Sequence, residues 1–212
     1  MPVRAPRDRL VVASASSPLT WVLAAPFLAL AWLGCAASPD ATSGEVQFRV
    51  ESARLGQRFV AHGAFALNAP AGWEPVPDSI LARVMSSVSS RDLAENSPRL
   101  RAVYRQDGGA ALAISEFPPE LDAGDRASML KRVTSELRAR YPGARVEPSR
   151  FRYRGFAIQQ VMLNDTTRVV FKLLVERPGS RLYQLDYVVP LGIYRREMQS
   201  VESSIGSLET RS

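Results

Sequence analysis

Few residues of this chain belong to the types that carry out covalent or metal chemistry. Its one histidine is His62 and its one cysteine is Cys35. Nucleophilic triads and most zinc sites need a histidine together with partner side chains. His62 could act as a general base on its own, but a structural or surface role is more typical of a single histidine. We therefore predict no metal site, no cofactor and no catalytic residue.

Carboxylates are the remaining type that could support hydrolysis, which requires two of them acting as an acid–base pair. Most of the acids examined lie near predicted strand ends, helix starts or exposed strand faces, where capping and solvation explain them. They are Glu116, Glu120, Asp122, Asp125 and Asp186. Asp186 differs because it shares a strand face with Gln184 and Val188 that a helix could cover. A carboxylate-based hydrolase is therefore an alternative to a non-enzymatic protein.

The N-terminal segment has the pattern of a secretory signal. Three arginines precede an apolar stretch over residues 18–33, which ends in small residues. The stretch contains Pro26 and is shorter than the roughly 20 apolar residues that cross a membrane. We predict that residues 1–34 are a signal peptide of the lipoprotein type that directs export.

Cys35 follows Gly34 at the end of this stretch, and the pair resembles the bacterial lipoprotein cleavage site, where the cysteine is acylated. The chain departs from that pattern at Trp32, where the pattern has leucine. Acylation would use up a lone thiol that otherwise needs a partner in an oxidising compartment. We predict a lipoprotein anchored to a membrane through Cys35, facing the periplasm or the cell surface of a bacterium. Ordinary cleavage after Ala36 or Ala37, which would discard the cysteine, is the alternative.

Composition divides the rest of the chain into a tether and one domain. Residues 35–45 are small and polar and contain proline and glycine, which is typical of a flexible linker. Residues 46–209 are enough for one domain with a core that needs no disulfide. The leader's three arginines and one aspartate account for +2 of the total charge of +6, which leaves +4. This modest excess, with the export signal, predicts no nucleic-acid partner.

An alternating run, Arg150-Phe-Arg-Tyr-Arg154, is the most unusual charged feature of the domain. On a strand, Arg150, Arg152 and Arg154 share one face, and Phe151 and Tyr153 share the other. Like charges in a row repel one another, so solvent or a bound anion must neutralise them. One interpretation is a solvated, charge-protected sheet edge. The other is an anion-binding stripe for an envelope polymer or a partner protein.

Hydrophobic periodicity predicts an α+β domain. Helical spacing begins near Asp78, near Asp122 or Asp125, and after Pro190. Alternation and turn residues predict strands at 46–50, 58–67, 99–105, 110–117, 145–153, 155–163, 167–176 and 181–189. Short connections between the last four strands force antiparallel neighbours. We expect an antiparallel, meander-rich sheet packed by about three helices, each lying on the sheet with its polar side in water.

Two motifs resemble a known family. Phe65-Ala-Leu-Asn-Ala-Pro-Ala-Gly-Trp73 resembles the opening of PsbP-like domains. The segment 183–190, with the helix that ends in Ile205-Gly-Ser-Leu208, is similar to their closing strand and helix. The group includes bacterial lipoproteins of the DcrB and LpqN kind. The resemblance implies an αβα sandwich around an antiparallel sheet and a binding or scaffolding role, and it implies no catalytic residue or metal ligand for this chain.

Together these observations predict a non-enzymatic envelope lipoprotein whose domain binds or scaffolds an envelope protein or polymer. A hydrolase of envelope polymers would instead need a deep pocket that holds two carboxylates. A carrier of small apolar ligands would need an apolar cavity between a helix and the sheet. The tertiary structure must discriminate among these three functions.

Overall fold

A computed structural model describes residues 45–61, 65–87, 97–121 and 123–210. These residues belong to one compact unit, Asp40–Ser212. The predicted leader, the tether up to residue 44, Cys35 and His62 lie outside the described residues. Within them, no helix is long and apolar enough to cross a bilayer.

The described ranges contain ten strands and three α-helices. The strands are β1 (Leu55–Ala61), β2 (Phe65–Pro70), β3 (Glu74–Pro75), β4 (Arg99–Arg105), β5 (Ala111–Glu116), β6 (Arg145–Tyr153), β7 (Phe156–Asn164), β8 (Arg168–Glu176), β9 (Tyr183–Pro190) and β10 (Glu209–Thr210). The helices are α1 (Asp78–Ser87), α2 (Ala123–Arg140) and α3 (Tyr194–Gly206).

The strands form two antiparallel sheets, which confirms the predicted α+β class. The large sheet has the order β3-β4-β5-β9-β8-β7-β6, and the small sheet has the order β1-β2-β10. Strands β6 to β9 are consecutive neighbours, as their short connections require. Gly155 and Gly179 have φ values of 81° and 75° in two of these connections, a region that glycine adopts at little cost.

The large sheet lies between two layers. Helix α2 covers the outer part of one face, where Leu130 packs with Val146 and Leu163. Helix α3 and the small sheet cover the other face, where Val201 and Ile205 join the main core. Every second residue along β8 and β9 is apolar and belongs to that core. Side chains alternate between the two faces of a strand, so these residues all lie on the face that α3 and the small sheet cover.

Residues 46–50, predicted as a strand, are not one. Their region makes a single bridge, between Glu45 and Arg152 of the edge strand β6. Phe48 packs instead against the rings of Phe151 and Tyr153, with ring centroids 5.9 and 4.9 Å away. A Cβ on Gly206 would lie 2.8 Å from the Cβ of Phe48, so this glycine permits the close approach. Aromatic packing, together with hydrogen bonds from the backbone N–H groups of Val46 and Arg49 to β6 and α3, holds the segment in place of a strand ladder.

The expectation that every helix buries its apolar stripe is wrong for α1. Ile80 and Val84 are 46% and 49% exposed. Helix α1 contacts β4, whose outer neighbour β3 has only two residues. The sheet is therefore too narrow at this edge to cover Ile80 and Val84, while Leu81 and Met85 of the same stripe are half-buried.

Candidate functional site

The arginine stripe predicted on β6 forms in part. Arg150 and Arg152 are exposed on the same face of this edge strand. The strand ends at Tyr153, and Arg154 lies in the following turn with a φ of 47°. Its guanidinium stands 5.2 Å from the ring centroid of Tyr153. The stripe thus contains two arginines instead of three, because the turn begins one residue too early, and anion binding there stays a prediction.

Asp186 is engaged by neighbouring side chains on β8 and β9. One of its oxygens accepts a hydrogen bond from Lys172 Nζ at 2.7 Å, and the other accepts one from Gln184 Nε2 at 2.6 Å. The Lys172–Asp186 pair is about one-fifth exposed. Since both oxygens already have a donor, Asp186 holds Lys172 and Gln184 in fixed positions.

A cleft of about 550 Å³ opens between α2 and the large sheet. Helix α2 packs over β6 and β7, which leaves the neighbouring strands of the same face less covered. Five apolar side chains line the cleft: Pro98, Phe117, Met129, Val133 and Leu137. Lys172 and Gln184 line it from the strands. Its volume falls within the range of about 300–1,000 Å³ that is typical of small-molecule sites.

The charges that line this cleft are mostly positive. Arg132, Glu136 and Arg140 are spaced four residues apart on α2, so they lie along one side of the helix. Lys172 adds a third cation from the sheet, and this one is paired with Asp186. Among the described residues that line the cleft, Glu136 is the one acid. The arrangement suits a ligand with an apolar body and a negatively charged or polar end.

A second polar site surrounds Glu116 at the end of β5. Its side chain is 8% exposed and forms ion pairs with Arg101 and Arg181. Arg101 Nε donates to Oε2 at 2.6 Å, and Arg181 Nη1 donates to Oε1. One carboxylate therefore ties together β4, β5 and the connection between β8 and β9.

Glu116 is ionised in the folded protein over a wide pH range. Burial raises the pKa of its carboxyl, but the hydrogen bonds from Arg181 and Arg101 and their positive charges outweigh burial. The net pKa lies below its ordinary value of 4.5. Burial raises the pKa of the neighbouring Tyr183, and the charge of Glu116 raises it further. Tyr183 is therefore a neutral phenol beside a charged carboxylate.

Sequence reasoning assigned Glu116 to capping or solvation and did not single out Arg101 or Arg181. Arg101 lies in an irregularity of the β4–β5 pairing between Leu100 and Ala102, and such bulges re-aim a side chain. The alternating arginines of β4 were the only local signal. The partner Arg181 is 65 residues from Glu116 along the chain, so no local pattern could reveal the contact.

The described part of the chain contains no group of three or more His, Cys, Asp or Glu side chains that could hold a metal ion. Glu116 and Asp186 each have cationic partners. Their carboxylates are thus committed to ion pairs within the domain.

Comparison with solved structures returns the family that the sequence motifs resemble. The chain is similar to a cyanobacterial PsbP. One matching structure is the solution structure of PsbP (CyanoP) from Synechocystis sp. PCC 6803, with a TM-score of 0.48 and 16% sequence identity, over 76% of this chain and 95% of that chain. No protein-family model and no curated protein sequence matches the chain. A similarity of this degree identifies no ligand, partner or catalytic residue.

Proposed function

We propose that this protein is a non-enzymatic lipoprotein of the bacterial cell envelope, tethered through Cys35, whose domain binds a small amphipathic ligand in the cleft beneath α2. The cleft is the observation that carries the proposal. It has the position expected for a carrier of small apolar ligands, with an apolar wall on α2 and polar groups on the sheet. The ligand-carrier function is therefore favoured over the other two.

The hydrogen-bond partners of the carboxylates support the proposal that the protein is not an enzyme. A hydrolase with two carboxylates needs one free acid and one free base about 5–10 Å apart. Asp186 and Glu116 are each held by two donors. Glu136 has no second acid beside it among the described residues that line the cleft. The described residues that line the cleft therefore supply no acid–base pair.

Acylation of Cys35 can be tested directly on the mature protein. We expect mass spectrometry of the N-terminal peptide to show a chain that begins at Cys35 and carries acyl groups. Cys35→Ser should abolish the added mass. Several acyl chains are needed for stable anchoring, because one chain gives only marginal membrane binding. An unmodified N-terminus that begins at Ser38 would refute the anchor.

Ligand binding in the cleft can be tested with a photoreactive alkyl probe. We expect a diazirine-bearing alkyl carboxylate, added to the full chain in nanodiscs, to label peptides that contain Phe117 and Met129. Val133→Trp should reduce this labelling by about tenfold or more, since the indole would occupy the space of the apolar body and about 1.4 kcal/mol of lost affinity suffices.

Leu191→Trp is the matched control for this substitution. Leu191 is 45% exposed and does not line the cleft, so the same indole there should leave the labelling unchanged. Circular dichroism checks that both variants are folded. Labelling that spreads over the surface, or that persists in the Val133→Trp variant, would count against the cleft as the binding site.

Binding of an envelope protein or polymer is the second candidate function. The exposed apolar stripe of α1, which includes Ile80 and Val84, favours it. Exposed apolar surface of this kind occurs at protein–protein contacts. Crosslinking in intact cells tests this function, and a chain without crosslinked neighbours would count heavily against it.

A further inference from the structure

We infer that the arginines around Glu116 form a binding site for a phosphoryl group, separate in function from the cleft beneath α2. The site consists of Arg99, Arg101 and Arg181, which line a groove of about 260 Å³ together with Glu120 and the prolines that follow Phe117. Such a groove accommodates one compact anionic group. The inference does not depend on the ligand-carrier function.

Two of the arginines are held in position before any ligand arrives. Arg101 and Arg181 pair with the two different oxygens of Glu116, whose side chain is 8% exposed. The arginine side chains themselves remain 47% and 52% exposed. A guanidinium has five N–H donors, so each retains donors for the groove. Glu116 thereby lowers the entropy lost when these long side chains bind an anion.

The local charge balance favours an anion. Arg99, Arg101 and Arg181 supply three positive charges at the groove, and Glu116 and Glu120 supply two negative ones. Among the described residues, no carboxylate forms an ion pair with Arg99, whereas Arg101 and Arg181 both pair with Glu116. An incoming anion would meet a site with a net positive charge.

The number of arginines favours phosphate over carboxylate. A guanidinium binds two oxygens of either group side by side. A carboxylate has two oxygens and is saturated by two arginines, as Glu116 is in this structure. A phosphoryl group presents three terminal oxygens and a charge of about −1.5 to −2, so it can engage a third arginine as well. The source of the group can be a free phosphate or the headgroup of an anionic phospholipid.

The inference is tested by isothermal titration calorimetry of the full chain in neutral detergent. One arm uses inorganic phosphate at constant ionic strength, and the other uses micelles doped with phosphatidylglycerol. We expect binding in at least one arm. The double variant Arg99→Gln, Arg181→Gln should raise the Kd by about tenfold or more, because it removes two charge-assisted contacts. This variant keeps the Arg101–Glu116 pair, and circular dichroism confirms its fold.

The control is the double variant Arg83→Gln, Arg195→Gln. It removes the same charge from exposed positions on α1 and α3 that do not line the groove, and it should bind as the unchanged chain does. Binding of inorganic phosphate that is lost only in the Arg99/Arg181 variant supports a free phosphate as the ligand. Binding of the doped micelles without binding of inorganic phosphate, again lost only in the Arg99/Arg181 variant, supports a lipid headgroup as the ligand. Absence of binding in both arms, or an equal loss in the control, overturns the inference.

Discussion

Replacing Trp73 by alanine should lower the free energy of unfolding by about 3–5 kcal/mol, the usual cost of truncating a buried large aromatic residue. Trp73 is 2% exposed, and its ring centroid lies 6.4 Å from that of Tyr187. Its Nε1 donates a hydrogen bond to Glu197 Oε2 at 3.3 Å. The substitution therefore leaves a cavity between the sheet and α3 and removes one donor from a buried carboxylate.

Denaturant unfolding followed by circular dichroism measures this loss. Trp73→Phe is the control, because it keeps an aromatic ring in the core and removes only the indole N–H and part of the volume. We expect its cost to be well below that of alanine. It also provides a measurement if the alanine variant does not fold. A loss of under about 1 kcal/mol for alanine would contradict the role of Trp73 as a core residue.

Replacing Glu116 by glutamine should destabilise the domain by about 1–3 kcal/mol at neutral pH, the range for hydrogen bonds to charged groups. The neutral amide cannot satisfy two guanidiniums, and Arg101 and Arg181 would lose their common partner. We expect a smaller loss of stability than for breaking a fully buried ion pair, because both arginines are half exposed and water can solvate them.

The pH dependence follows from the pKa of Glu116. Because the folded-state pKa lies below the ordinary 4.5, the ionised carboxylate stabilises the fold above that pH. This stabilisation is lost as the pH falls through the folded-state value. The difference in unfolding free energy between the unchanged chain and the Glu116→Gln variant should therefore stay constant from neutral pH to near pH 4.5 and shrink as the pH falls below that value.

Glu147→Gln is the matched control for this titration. Glu147 pairs with Arg145 on β6, where the two side chains are 38% and 75% exposed, so its loss should change the stability by under about 1 kcal/mol. A difference for Glu116→Gln that is constant with pH would show that the carboxylate's charge does not contribute.

Much of the fold was predictable because its determinants are local. Strands β6 to β9 are connected by short turns, and a short turn allows only antiparallel pairing. Helix α2 begins at Ala123, beside the predicted start at Asp122 or Asp125, and ends before Pro142-Gly143. The stripe Leu130, Val133 and Leu137 faces the sheet as its periodicity indicated.

The long-range pairings were not predictable in this way. The run 58–67 was predicted as one strand, but it is divided between β1 and β2, which pair with each other in a separate sheet with β10. Strand β5 pairs with its sequence neighbour β4 on one side, but its other neighbour is the distant strand β9. Such contacts depend on which surfaces bury together, and alternation within one strand carries no information about that.

The sequence by itself determined the scarcity of catalytic side chains, the signal and Cys35 pattern that predicts an anchor, and the α+β class. These follow from residue type, local spacing and period. Only the tertiary structure decided which polar groups meet. It separated Arg154 from Arg150 and Arg152 by a turn, and it brought Arg101 and Arg181 to Glu116 from two other segments. It also left a cleft beneath α2, because the packing of a helix on a twisted sheet is set by the whole core.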